Sequence, residues 1–150
     1  MGCLRAEKST QLLGLALVMS KYIDCVGWIQ LSDKGLMHTL SKGNDTWYLP
    51  GGKVNYEETH LEALSREIKE ELSIDLVSET IEEYGRFEAQ AHNKPDGTKV
   101  RVVCYTAKFS GVMKENNEIV AFGYIPYDDR RLTALLSNVV YGDLRRKGLV

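Results

Sequence analysis

Three glutamates, Glu67, Glu70 and Glu71, stand within five positions of one another in the run "SREIKEEL", and Pro50-Gly51-Gly52 precedes them. Hard carboxylate oxygens gathered at short range are the ligands that Mg²⁺ or Mn²⁺ takes. A helix advances about 100° per residue, so the three side chains share roughly one third of its circumference. Like charges at i,i+3 and i,i+4 each weaken an isolated helix by about 0.2–0.5 kcal/mol. Such crowding is unfavourable on an empty helix face, and a cation among the oxygens reverses its sign. Six glutamates fall between Glu57 and Glu71, and the competing reading is a plain solvated acidic face. The neighbours weigh against it. Gly51 and Gly52 have no Cβ to keep a ligand at a distance, so loop carbonyls and helix carboxylates can meet around one metal. Arg66, beside Glu67, can orient a carboxylate by charge-assisted hydrogen bonds, and Ala63, one turn earlier, leaves room.

Those side chains need a helix and a turn to hold them. Leu61, Leu64, Ile68 and Leu72 are spaced 3, 4 and 4 apart, which predicts a helix over 57–72 with one apolar stripe facing a core. The carboxylate face lies about 110° from that stripe, at the core's edge. Before it, Trp47 to Leu49 reads as a short strand stopped by Pro50 and the glycines. Strands are expected over Tyr22–Leu31, which is rich in β-branched and aromatic residues, and near Leu36–Leu40. Ile81–Ala91 and Lys99–Phe109 flank a Pro-Asp-Gly turn and predict a long antiparallel hairpin. A last strand is expected near Ile119–Ile125. Leu132, Leu135, Leu136, Val139 and Val140 then predict a terminal helix packed on the sheet. The order of elements is that of an α/β or α+β domain of two or three layers.

At 150 residues, with 43% apolar and 27% charged residues, the chain has the make-up of one soluble globular domain. A formal net charge of −2 provides no global field for nucleic acid or an anionic membrane, so neither is expected as a partner. Cys3, Cys25 and Cys104 form no metal-binding pair pattern and read as inert thiols, which favours a reducing, cytoplasmic setting. Residues 1–20 read as an N-terminal extension, an extra strand or a disordered appendage. Their apolar run Leu12–Met19 is too short to span a membrane, and no clear cleavage site follows it. Met19 is a candidate start, and the domain is expected over 21–150.

The spacing from Gly52 to Ile74 is a pattern in its own right. Gly52, five residues, Glu58, seven residues, Arg66-Glu67-Ile68-Lys69-Glu70-Glu71, one residue, Ser73 and Ile74 resemble the Nudix box, GX5EX7REUXEEXGU with U aliphatic. One fixed position departs: Ser73 stands where the family has glycine. Together with "WYLP" and the strands from about Tyr22 onward, most of the chain resembles a MutT/Nudix domain. The resemblance implies an α/β/α sandwich with a mixed β-sheet and a loop-helix-loop metal site. It also implies hydrolysis of a nucleoside diphosphate derivative with Mg²⁺ or Mn²⁺. By position, Glu67, Glu70 and Glu71 would bind metal with the Gly51 carbonyl, Arg66 would orient Glu67, and Gly52 and Glu58 would support the site. Relatives recruit a further base or ligand from outside the box; Glu118 is the first candidate here, then Glu115 and Glu88. Trp47, Tyr48, Arg86 and His92 are candidates for holding a base or phosphate. The family implies a small-molecule partner and often a homodimer. A non-catalytic Nudix domain that senses a nucleotide or metabolite, or serves as an interaction module, is the alternative. Ser73 is not a ligand, so a left-handed serine there is expected to cost stability, up to about 1 kcal/mol, and not catalysis.

Overall fold

Strand β1 (Tyr22–Trp28) is the axis of the fold in the computed structural model, which describes residues 21–150. It pairs antiparallel with β4 (Gly51–Lys53) and parallel with β7 (Lys99–Thr106), which pairs antiparallel with β6 (Glu82–Gln90). The sheet is therefore mixed, in the order β4-β1-β7-β6. Side chains alternate across it, as the pleat requires. Val26, Trp28, Val103 and Tyr105 meet Ala63, Leu64, Ile68 and Leu72 of helix α1 (His60–Leu72) on one face. Val102 and Cys104 meet Val140, Tyr141 and Leu144 of helix α2 (Leu135–Arg146) on the other. Helix, mixed sheet and helix thus form the expected sandwich. A second sheet joins β2 (Leu31–Ser32), β3 (Gly35–Ser41) and β9 (Ile119–Ile125), all antiparallel, and a short ladder joins β5 (Asp75–Leu76) to β8 (Phe109–Ser110).

The hairpin across Pro95-Asp96-Gly97 and the strand at Ile119–Ile125 lie where the sequence predicts. Four expectations need correction. The Trp47–Leu49 strand is absent; Trp47 and Tyr48 make single bridges to Thr133 and Thr39, and the strand is instead at Gly51–Lys53. Glycine is what permits this, because Gly51 has φ 142° and a Cβ there would collide with the Val26 carbonyl. Helix α1 starts at His60 instead of Glu57, since Glu57 has φ 65°, outside the helical range. Thr59 caps the helix, its hydroxyl accepting from Glu62 N–H at 3.2 Å and donating to the Glu62 carboxylate at 3.0 Å.

The predicted apolar stripes are partly wrong. Leu61, in the first turn of α1, stays exposed, and the core receives the stripe only from Leu64 onward. Leu132 lies before the terminal helix, in a 3₁₀ turn, and is exposed like Leu135 and Val139; the inward face of the helix is Ser137, Val140, Tyr141 and Leu144. Tyr141 decides that rotation: its ring is fully buried and its hydroxyl donates to the Ile125 carbonyl at 2.7 Å, so a large apolar surface is covered with no polar atom stranded. Ser73 is left-handed, φ 59° and ψ 24°, as the glycine position of the box predicts, and its N–H closes the helix on the Lys69 carbonyl. The N-terminal extension, its Leu12–Met19 run and Cys3 lie outside the described residues. Among the described residues, no helix is long and apolar enough to cross a membrane.

Candidate active site

The site is built where the edge strand β4 meets α1. Trp28 N–H donates to the Pro50 carbonyl at 2.8 Å, and Val54 N–H to the Asp24 carbonyl at 2.9 Å. That alternation turns the backbone groups of Gly51 and Lys53 away from β1. Gly51 N–H donates to Glu71 Oε1 at 2.7 Å, and the Lys53 carbonyl accepts from Arg66 Nη2 at 3.1 Å. Gly52 is required for a different reason, since a Cβ on it would run into the Glu67 carboxylate.

Glu71 is the unusual member. Its residue is 8% exposed, Thr39 donates a second hydrogen bond to its Oε2 at 3.3 Å, and among the described residues no basic side chain pairs with it. Burial, reinforced by the charges of Glu67 and Glu118, pushes its carboxyl up to about 8, against the pull of the Gly51 N–H and Thr39 hydroxyl. Burial also raises Glu67, with Glu70 and Glu118 adding to it and Arg66 opposing. Glu67 thus feels the charges of Glu70 and Glu118, and Glu71 those of Glu67 and Glu118.

Arg66 provides the local positive charge. Its Nε and Nη2 grip Glu58 at 2.7 and 2.9 Å, and its Nη1 reaches Glu67 at 2.9 Å and Glu70 at 3.3 Å. That fork holds the Glu58 carboxyl down at about 2, helped by the Asn55 N–H, and raises the guanidinium's own proton affinity. Among the described residues, no three His, Cys, Asp or Glu side chains are drawn up as a ready-made metal cage. Glu67 and Glu70 are turned to Arg66 and Glu71 to the Gly51 amide. The donor set still suits a hard divalent cation: the oxygens are carboxylate and carbonyl only, and buried Glu71 has no cationic partner among the described residues.

Glu118 is exposed just before β9, tied down by Lys42 N–H donating to its carbonyl at 2.7 Å, and its charge helps to raise the proton affinity of Glu67 and Glu71. Glu115 is exposed. Glu88 and Arg86 are on β6, the sheet edge opposite β4, where they pair with Lys99 at 3.5 Å and Glu83 at 2.9 Å. The structure therefore does not bring either to the glutamates. Trp47 is half-buried, and its backbone is hydrogen-bonded to Leu132 and Ala134. Tyr48 and His92 form an edge-to-face pair, ring centroids 5.7 Å apart, beside a cavity of about 250 Å³ that reaches Gly51 and Gly52 from the α2 side. Thr39 was not singled out by the sequence. Its only signal is one polar residue in "GLMHTLS", and nothing local marks it as the partner of a glutamate 32 positions away.

The profile of the NUDIX domain matches residues 23–139 of the chain. Among solved structures, a MutT NUDIX hydrolase from Burkholderia pseudomallei superposes with TM-score 0.68 at 23% identity, covering 82% of this chain and 98% of that one. The MutT protein of Methanosarcina mazei Go1 has TM-score 0.68 at 20% identity, covering 85% and 95%. The E. coli dihydroneopterin triphosphate pyrophosphohydrolase has TM-score 0.60 at 21% identity, covering 81% and 91%. No curated protein matches the sequence significantly.

Proposed function

The chain belongs to the Nudix family of hydrolases, which act on phosphorus-containing anhydrides, and on that premise we propose that it is a divalent-metal-dependent pyrophosphohydrolase of a nucleoside diphosphate derivative. The supporting observation is Glu71, a buried carboxylate with no cationic partner among the described residues, held against the glycine edge and under the charges of Glu67 and Glu118. In the proposed reaction a water oxygen bonds to one phosphorus of the diphosphate. The P–O bond of the anhydride breaks, and the leaving phosphate keeps the electron pair. Mg²⁺ or Mn²⁺, held by Glu67, Glu70, Glu71 and the Gly51 carbonyl, would neutralise the phosphate oxygens and acidify the attacking water. Glu118 is the residue we assign to take the water's proton, because its charge acts on Glu67 and Glu71 from outside the helix. Arg66 orients Glu67 and Glu70 and ties them to Glu58, so it and Glu58 are positioning residues. Cys25 and Cys104 are free thiols with proton affinity raised by burial, to about 11 and about 12, which fits a reducing compartment and no nucleophilic role.

The test is incubation with Mg²⁺ or Mn²⁺ and a panel of nucleoside triphosphates, dinucleoside polyphosphates and nucleotide sugars, with released phosphate measured after coupling. The expected result is turnover of at least one compound that stops in EDTA. Binding of panel members with no turnover would favour the sensor instead.

A further inference from the structure

The segment between β8 and β9, residues 111–118, is exposed at every position but Met113, and exposed segments of this kind are ordinarily the mobile parts of a fold. This one is tied down at both ends. Met113 packs against the core that contains Leu64, Ile68 and Leu72 of α1. Lys114 N–H donates to the Leu72 carbonyl at 2.9 Å, filling one of the acceptors that the last turn of the helix leaves open. At the other end Ile119 is buried, and its N–H donates to the Asn116 carbonyl at 3.0 Å. Lys42 N–H, just beyond β3, donates to the Glu118 carbonyl at 2.7 Å. Leu40 pairs with Ala121 and Ser41 with Ile119, which leaves Val120 as the extra residue of a bulge. One anchor is thus the helix that carries Glu67, Glu70 and Glu71, and the other adjoins the strand that carries Thr39. Between them Asn117 has φ 52°. Left-handed backbone is costly for a side chain branched at Cβ, and asparagine is among the few residues other than glycine that adopt it readily. The residue that follows is Glu118, whose charge acts on Glu67 and Glu71.

We propose that Asn117 is a positioning residue: its left-handed backbone turns the chain so that Glu118 is presented to the glutamates of α1, by an arm already ordered before metal or substrate binds. The inference rests on the assignment of Glu118 as the group that takes the water's proton. A general base contributes about 10²–10⁴ in rate, and it acts only within hydrogen-bond reach of the proton it takes, directly or through one water. A displacement of about 1 Å can cost about 100-fold. Aiming such a group from an exposed segment therefore needs a fixed backbone. The bond from Lys114 to the end of α1 makes arm and helix one unit.

The test is a cycle of Asn117→Val, Glu118→Gln and the double variant, with Asn117→Gly as the control that keeps positive φ open. Two quantities are measured: kcat and KM on a nucleotide that the wild type cleaves, and backbone amide exchange in the metal-free protein. Asn117→Val should lower kcat at least about tenfold with KM within about threefold, while Asn117→Gly stays near the wild-type rate. The double variant should be no slower than Glu118→Gln alone, because a residue that acts only through Glu118 has nothing left to aim. In the wild type the Lys114 and Ile119 amides should exchange at least about 100-fold more slowly than unstructured ones, and Asn117→Val should erase that protection at Ile119 while the amides of β1 keep theirs. Rate losses that multiply in the double variant overturn the proposal, as do an arm that exchanges freely in the wild type and an Asn117→Val protein with unchanged kcat. Glu118→Gln at the wild-type rate instead contradicts the assignment of the base, and a protein that cleaves nothing contradicts the hydrolase reading. In either case the exchange rates still decide whether Asn117 orders the arm.

Discussion

Gly52 and Glu67 share one small space, and the consequence can be measured. In Gly52→Ala the backbone is allowed, but the new methyl group displaces the Glu67 carboxylate, which is the mobile end of a long side chain. The variant should fold, lose Mn²⁺ affinity as read by calorimetry, and lose turnover. Thr39→Val removes the hydroxyl that donates to Glu71 while keeping its shape, and should weaken Mn²⁺ binding roughly 10-fold, with Thr39→Ser restoring it. Ser73→Gly relieves a left-handed residue and should raise stability in denaturant by about 1 kcal/mol with activity unchanged. The strain at Ser73 was legible because a motif fixed the position of the helix end. Thr39 was not, since its role depends on β3 packing beside α1, a contact no local spacing encodes. The same reason explains Arg86 and Glu88: their types suited phosphate or catalysis, but strand order sent β6 to the far edge.

For helices, the telling comparison is between faces of α2. Leu144→Ala removes a fully buried side chain and should destabilise by about 2–5 kcal/mol, whereas Leu135→Ala, at an exposed position, should stay within about 0.5 kcal/mol in the same denaturant assay. Apolar residues recur every three or four positions on both sides of this helix, so periodicity found the helix and not its rotation. Tyr141 carries the distinction through a hydrogen bond to β9, which is a tertiary fact. The hairpin and β9 were legible because turn residues and β-branched runs mark them locally. Strand β4 was hidden, because two of its three residues are glycines with no strand preference, placed there by the close approach to β1.

Across the whole molecule, stability should respond to pH through His38, which joins the second sheet to α2 by way of Ser137 and stacks on Tyr141. Burial lowers its folded-state pKa from 6.5 to about 4. The unfolded chain then binds the proton first, so this contribution is intact above about pH 6.5 and is lost as pH falls toward 4, by roughly 3 kcal/mol in all. Unfolding of wild type and His38→Gln across that range should show the steeper acid loss in the wild type. Glu71 acts oppositely in the metal-free protein: its raised pKa favours folding at low pH, and this contribution fades as pH rises toward 8. A bound divalent cation at 100 times its dissociation constant should add about 2.7 kcal/mol. The most direct test of the account is turnover of a cleaved nucleotide against Mg²⁺ concentration, in the wild type and in Glu70→Gln with its fold verified. The account predicts strict metal dependence and a loss of at least about 100-fold in the variant; turnover that persists in EDTA, or that Glu70→Gln leaves unchanged, would contradict it.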